Sequence, residues 1–375
     1  MRIGFYAPLK PPGHPVVSGD RQMARLLIEA LNQAGHSVFV ASNLRIFLKT
    51  GDPKVEIELR DAAKIETERL LAHWAANPGT APEIWFTYHP YYKSPDWLGP
   101  SICRVLDIPY VTAEASWAGK RKNGPWADAQ RDVGDGVAQA CVNFCMTRRD
   151  REGLMDVLGN ADTLADLAPF INLAGFAAPP RRSSKPARLL TVAMMRDDVK
   201  LESYRFLAAA LAGMTDIPWQ LEVIGDGEAR DDVETAFAHL PADRVTWAGI
   251  CAPEELTAHY GQADIFVWPG IGEAYGMAYL EAQAMGLPVI ALNTAGVPAV
   301  VANGVSGILT PQDDVSAYGG AIGSLLSDAP RWQKMSAAAI AHVHTLHSLE
   351  AAAERLNAGL HRGIQRGLRR GLNED

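Results

Sequence analysis

Short contiguous apolar runs alternate along the chain with longer stretches whose apolar residues recur at helical spacing. Runs at 2–7, 37–41, 83–89, 109–112 and 142–146 are rich in β-branched and aromatic residues and read as strands. Between the first two, Met23, Leu26, Leu27, Ala30 and Leu31 fall on one helical face over 20–34, with Asp20 placed to cap its start and Gly35 to stop it. The alternation resumes with strand candidates at 189–193, 220–224, 244–247, 264–268, 288–292 and 307–309. Helices are expected near 201–212, 231–239, 253–260, 275–285 and 315–326. Strands alternating with helices imply βαβ units and parallel sheets covered on both faces.

One segment breaks the pattern. APPRRSSKPAR at 178–188 is rich in Pro, Ser and charge, has no apolar period and reads as a linker. The expected organisation is therefore an N-terminal αβα domain at 1–178, a linker at 179–187, a C-terminal αβα domain at 188–347 and a C-terminal helix or tail at 348–375. Ligands of open α/β sheets sit beyond the carboxyl ends of the strands, which makes the cleft between two such domains the expected site. The tail carries Gly359, Gly363, Gly367 and Gly371 at intervals of four, with Arg362, Arg366, Arg369 and Arg370 to one side. It is either a helix packing back on the first domain with its arginines solvated, or a basic amphipathic tail making peripheral contact with anionic lipid.

Composition narrows the class. The 375 residues are 48% hydrophobic, enough for about two cored domains. With 35 Lys+Arg against 43 Asp+Glu the net charge is −8, which argues against a nucleic-acid partner, and the apolar share argues against a disordered chain. Apolar runs such as 206–214 fall short of the roughly 20 residues that cross a bilayer. The opening MRIGFYAPLKPPGHP has no signal-peptide core, and Cys103, Cys141, Cys145 and Cys251 form no C-x-x-C pair, so a cytoplasmic location is expected. Spacings for a metal cluster or a G-x-S-x-G nucleophile are missing. IGDGEAR has Gly225 and Gly227 but Arg230 where a dinucleotide fingerprint needs a third glycine, which argues against a nicotinamide cofactor.

The stretch WPGIGEAYGMAYLEAQAMGLPVIAL, 268–292, carries the most chemistry. A strand ends at Trp268, a loop bearing Gly270 and Gly272 follows, and a helix is expected from about Ala274. The amides of Ala274, Tyr275 and Gly276 would then face an anion beyond the strand end. On one continuous helix Glu273 and Glu281 would share a side about 12 Å apart. That separation suits a ligand with hydroxyls at both ends of a diphosphate.

Glu273, seven residues and Glu281 resemble the E-x7-E motif of retaining glycosyltransferases of the GT-B fold, the family-four or glycosyl transferases group 1 type. Segments around them are similar to that family in order and spacing: IGDGEARDD, VTWAGICAPEEL, ADIFVWPG and NTAGVPAVVANGVSGILTPQDD. The resemblance is strong over about 189–328 and weaker before it. It implies two Rossmann-like αβα domains facing each other across a cleft. It also implies a nucleotide-diphosphate sugar as donor, an acceptor hydroxyl on a glycan, lipid-linked or small molecule, and no metal or other cofactor.

By the same resemblance Glu273 would hold donor-sugar hydroxyls, while Gly272, Ala274, Tyr275 and Gly276 would face the sugar and diphosphate. Glu281 would bind the ribose, and Gly225, Thr294, Gly296 and Val297 would line the donor. Arg196 and Lys200 would neutralise the leaving diphosphate, although their spacing departs from the family pattern by a residue. In the first domain the family's Gly-Gly loop is replaced by HPVVSGDRQ, where Gly19 could approach a phosphate. The family's usual His position holds Glu114, either a base toward the acceptor or a partner for Lys120 and Arg121, with His89 the alternative polar group. Tyr88, Tyr91, Tyr92, Trp97 and Trp117 either stack on sugar or fill the core. Two rival readings share these features: a GT-B sugar-nucleotide epimerase or phosphorylase, and a non-catalytic nucleotide-sugar-binding subunit.

Overall fold

The computed structural model describes residues 1–16, 18–176 and 186–371. Most of the expected linker, 179–185, lies outside the described residues. Two compact units form, one of 1–168 together with the helix from 349, the other of 169–348. Residues 169–176, assigned by sequence to the first domain, thus count with the second.

The first unit runs β1 (Arg2–Tyr6), α1 (Gly19–Gln33), β2 (Ser37–Ser42), α2 (Pro53–Ala76), β3 (Ile84–Tyr88), α3 (Gly99–Leu106), β4 (Tyr110–Ala113), α4 (Ala127–Gln139), β5 (Val142–Cys145), α5 (Arg148–Leu158) and β6 (Leu164–Asp166). The second begins β7 (Ala187–Val192), α6 (Val199–Ala212), β8 (Trp219–Ile224), α7 (Arg230–Phe237), β9 (Val245–Gly249), α8 (Pro253–Gln262), β10 (Ile265–Val267) and α9 (Met277–Ala284). It ends with β11 (Val289–Leu292), β12 (Gly307–Thr310), α10 (Val315–Ser327) and α11 (Ala329–Leu346), after which α12 (Leu349–Gly371) returns to the first unit.

Each unit holds one six-stranded parallel sheet, ordered β2-β1-β3-β4-β5-β6 and β12-β11-β10-β7-β8-β9. Helices on both faces explain the contiguous apolar strands: every residue of β3, IWFTY, is buried. In both sheets the chain winds outward in one direction and then crosses back beside its first strand. The order therefore reverses between β1 and β3 and between β7 and β10, where the connections leave toward opposite faces and ligands of such sheets collect.

The expected strands are present with ends shifted by one or two residues. β6 was not anticipated, because three residues that are half-exposed or exposed carry no readable alternation. α1 is capped by Ser18, whose hydroxyl accepts from Arg21 N at 3.3 Å, and not by Asp20, which sits in its first turn. The chain passes into the second unit after Ala168 and returns after Ser348. These two passages are stitched together: Ile171 N donates to His347 O at 2.9 Å, and His347 Nδ1 lies 2.6 Å from Pro169 O.

α12 buries Ala352, Leu356 and Leu360 and packs on α1 and β5. Gly359 and Gly363 of its glycine repeat form a close-packing seam. A Cβ at Gly359 would lie 2.4 Å from the Phe144 ring, and one at Gly363 would lie 3.0 Å from Cys141 O. Arg362 is exposed and Arg366 half-buried, while the side chains of Arg369 and Arg370 lie outside the described residues.

Gly359→Val drives branched carbons into Phe144 and should cost about 2 kcal/mol, read as a lower urea midpoint. Gly320→Ala, with nothing within 4 Å of its new methyl in the middle of α10, should gain up to about 1 kcal/mol. A Gly359→Val chain as stable as wild type would refute the seam.

Candidate functional site

In the second unit the connections after β7 and β10 meet at the strand-order reversal. α6 starts at Val199, capped by Asp198, whose carboxylate accepts from Lys200 N at 2.8 Å. Ser203, one turn on, accepts from Ile271 N at 3.0 Å and so ties the start of α6 to the loop after β10. This brings the Lys200 ammonium onto Glu273 Oε1. The same oxygen accepts from the Trp268 indole at 3.0 Å, and Lys200 Nζ stands 5.5 Å from that ring. Trp268 is itself held edge-on against Tyr204 at 4.8 Å. Lys200 and Glu273 keep only 18% and 16% of their side chains exposed, so their charges interact through less water than a surface pair.

Glycines make this crowding possible. A Cβ at Gly270 would lie 2.1 Å from the Tyr279 hydroxyl, which donates to Trp268 O at 3.0 Å. The G-x-G turn after β8 serves packing as well: a Cβ at Gly225 would lie 1.9 Å from Ala193 O. Gly272 lies beside Val199, and Gly296 N donates to Glu273 O at 3.2 Å, joining the Thr294–Gly296 turn to the same loop. Val297 is fully buried.

Two expectations are corrected. The helix begins at Met277, because Gly276 adopts φ +79° just before it. Ala274, Tyr275 and Gly276 therefore belong to the loop, and the first-turn amides, which no side chain caps, start at Met277. Glu273 and Glu281 consequently do not share a helix. Glu281 sits on α9 and accepts from the Tyr260 hydroxyl of α8 at 2.8 Å, whereas Glu273 reaches back to α6. Burial raises the Glu281 carboxyl above its ordinary range, with the Tyr260 hydrogen bond opposing. Arg196 lies on the loop before α6, but its guanidinium contacts Met194 Sδ at 3.3 Å and not Glu273.

The first unit gathers a second cluster at its own reversal. His89 follows β3 at φ +56° and Glu114 follows β4 at φ +55°, left-handed turns that bulky residues rarely adopt. His89 N donates to Ala113 O at 2.8 Å and Glu114 N to Phe144 O at 2.9 Å, so each turn is fixed by the neighbouring strand. His89 Nδ1 lies 3.1 Å from Asp20 Oδ1 beside Gly19 at the start of α1. Asp150, in the first turn of α5, adds its field to the cluster. Sequence reasoning missed Asp20 and Asp150 as members of this site. Arg21, in the first turn of α1, donates to His14 O and Pro15 O at 2.9 and 3.2 Å.

These groups set one another's protonation. Burial works against a charged His89, yet Glu114 and the Asp20 hydrogen bond overcome it and lift the imidazole to about 9. Burial lifts Glu114 to about 7, opposed by His89 and reinforced by Asp150. Both groups hold protons more tightly when folded. His89 stabilisation is complete below its ordinary value of 6.5 and is lost as pH rises through about 9. The Glu114 contribution falls as pH rises from 4.5 through about 7.

Solved structures share this architecture. Sucrose-phosphate synthase from Thermosynechococcus elongatus superposes with a TM-score of 0.70 at 19% identity, covering 98% of this chain and 99% of that one. An Anabaena protein in complex with UDP and glucose gives 0.65 at 13% identity over 96% and 98%. The fold is thus that of GT-B glycosyltransferases. Residues 186–328 match the family model described as glycosyl transferases group 1. Among curated relatives, a D-inositol 3-phosphate glycosyltransferase of Corynebacterium diphtheriae is 30% identical over 216 residues, 53% of this chain and 50% of that protein. A GDP-mannose-dependent alpha-(1-6)-phosphatidylinositol monomannoside mannosyltransferase of Mycolicibacterium smegmatis is 35% identical over 126 residues, 32% of this chain and 33% of that protein. The chain spans about half or less of the length of these curated relatives.

The His89 imidazole should titrate near 9 by NMR in the wild-type chain and move down toward 6.5 in Glu114→Gln. An unchanged titration in that variant would show that the two groups do not interact.

Proposed function

We propose that the chain transfers a sugar from a nucleotide-diphosphate sugar to an acceptor hydroxyl, with retention at the anomeric carbon. The observation that carries this reading is the convergence of Lys200 and Glu273 at the β7/β10 reversal, inside the segment that matches the family. UDP in the Anabaena neighbour and GDP-mannose in the name of the mycobacterial relative support a nucleotide-sugar donor.

In this reading the donor diphosphate lies against Lys200, Arg196 and the first-turn amides of α9. As the diphosphate draws the Lys200 ammonium to itself, the Glu273 carboxylate turns to the sugar hydroxyls. Glu281, oriented by Tyr260, accepts from the ribose hydroxyls. The bond from the anomeric carbon to the phosphate oxygen breaks, and its electron pair leaves with the nucleoside diphosphate. Lys200 and Arg196 stabilise the negative charge that develops there, so no metal is invoked. The acceptor oxygen bonds to the same face of the anomeric carbon and gives up its proton. The departing phosphate oxygen, which lies on that same face, takes the proton.

The test is turnover and donor binding of the purified chain across UDP- and GDP-sugars. Lys200→Ala should lower kcat about a hundredfold, as loss of a charge placed on a leaving group does. Glu273→Gln should act mainly on kcat, and Glu281→Ala should weaken donor binding about tenfold, the loss of one charged hydrogen bond. Unchanged kinetics in both glutamate variants would remove the site assignment. Tight donor binding without turnover on any acceptor would favour a binding subunit.

A further inference from the structure

Glu273 Oε1 has two partners of opposite character. One is the Lys200 ammonium, carried on a flexible four-carbon stem. The other is the Trp268 indole N–H at 3.0 Å, on a residue only 2% exposed and fixed at three points. Trp268 N donates to Ile290 O at 3.2 Å, which keeps the strand end beside β11. Its carbonyl accepts from the Tyr279 hydroxyl at 3.0 Å. Its ring stands edge-on to Tyr204 at 4.8 Å, and Tyr204, fully buried, is held in turn by its hydroxyl on Ala193 O at 2.8 Å. The ammonium can leave Glu273 by rotating single bonds. The indole cannot.

Packing alone does not call for tryptophan at this strand end. A hydrocarbon ring would meet the edge of Tyr204 as well as an indole does. What the indole adds is a single N–H, a group that donates and cannot accept. Among the described residues its one acceptor is Glu273 Oε1. That oxygen also takes the Lys200 contact, whereas Glu273 Oε2 makes no hydrogen bond with the described residues. Both partners of the carboxylate thus converge on one oxygen, and the other is left for a ligand.

We propose that Trp268 is a positioning residue for sugar transfer: its indole N–H holds Glu273 Oε1 once the donor diphosphate has taken Lys200, so that Oε2 meets the sugar hydroxyls. A carboxylate that lost its ammonium and had no second partner would swing free or follow the charge. An N–H on a locked ring prevents both, and a charge-assisted hydrogen bond is among the stronger ones available for the purpose. Lys200 Nζ, 5.5 Å from the centroid of the same ring, keeps a cation–π contact as it moves to the phosphate. This inference rests on the donor site proposed above. It adds the residue that keeps the sugar-binding carboxylate in place.

Turnover of the full chain is read as nucleoside diphosphate released from a panel of UDP- and GDP-sugars, with water as the acceptor where no other is added. In Trp268→Phe kcat should fall about tenfold while KM for the donor stays within about twofold, the split expected of an interaction that counts in the transition state. Replacing Trp268 by its benzothienyl analogue, which keeps the shape and has sulfur in place of N–H, should lose the same factor. Thermal unfolding of the analogue near the wild-type temperature shows that the fold is kept. In a Glu273→Ala background Trp268→Phe should cost less than about twofold more, because it acts through that carboxylate. Unchanged kcat in both replacements, a loss in Trp268→Phe that the analogue does not share, or losses that multiply with Glu273→Ala overturn the proposal. A wild-type chain that releases no nucleoside diphosphate from the whole panel overturns the transfer reading and this inference with it. Normal turnover that ignores both replacements removes this inference alone.

Discussion

An ammonium and a carboxylate, each more than four-fifths covered, share the loop space where the second sheet reverses its strand order. Removing two opposite charges from water is costly, and their mutual attraction repays it only when further hydrogen bonds complete the geometry. Here the Trp268 indole supplies one, and Ser203, by holding Ile271, keeps the two loops in register. The arrangement holds a cation and an anion within reach of one small volume at a strand end. A molecule with phosphates next to hydroxyls needs that combination of partners.

The surrounding backbone is shaped to permit it. Glycines at 225, 270 and 276 stand where a side chain would strike a carbonyl oxygen, a tyrosine hydroxyl or a tyrosine ring. In the first unit the strand ends after β3 and β4 instead carry His89 and Glu114, which accept left-handed backbone in spite of their bulk. The hydrogen bonds from each to the adjacent strand hold that strained geometry in place. The two units thus use one topology differently: the second makes room at its strand ends, and the first projects titratable groups from them.

What could be read from the sequence follows the range of the forces involved. The apolar runs marked eleven of the twelve strands because a strand covered on both faces must be apolar throughout, whereas β6, at a sheet edge, has no such obligation. Glu273, Lys200 and Glu281 could be singled out because local motifs surround them. Asp20, Asp150 and Tyr260 could not, since each matters only through a residue far away in sequence. The helix start was misplaced by three residues because a glycine inside a helix-like pattern gives no sign of its φ until neighbours fix it. The glycine repeat of α12, legible as a regularity, acquired its meaning only when Phe144 and Cys141 stood opposite it.

The path of the chain through the two units also dictates an order of assembly. Residues 1–168 emerge first during synthesis, yet the flank of β5 and α1 that α12 covers stays open until residues 349–371 arrive, after the whole of 169–348. The second unit is contiguous and can fold as soon as it is made, ahead of the unit that precedes it. Phe144 therefore waits for its cover until Gly359 arrives, and a fragment cut at 168 would display that apolar flank to every other chain in the cell.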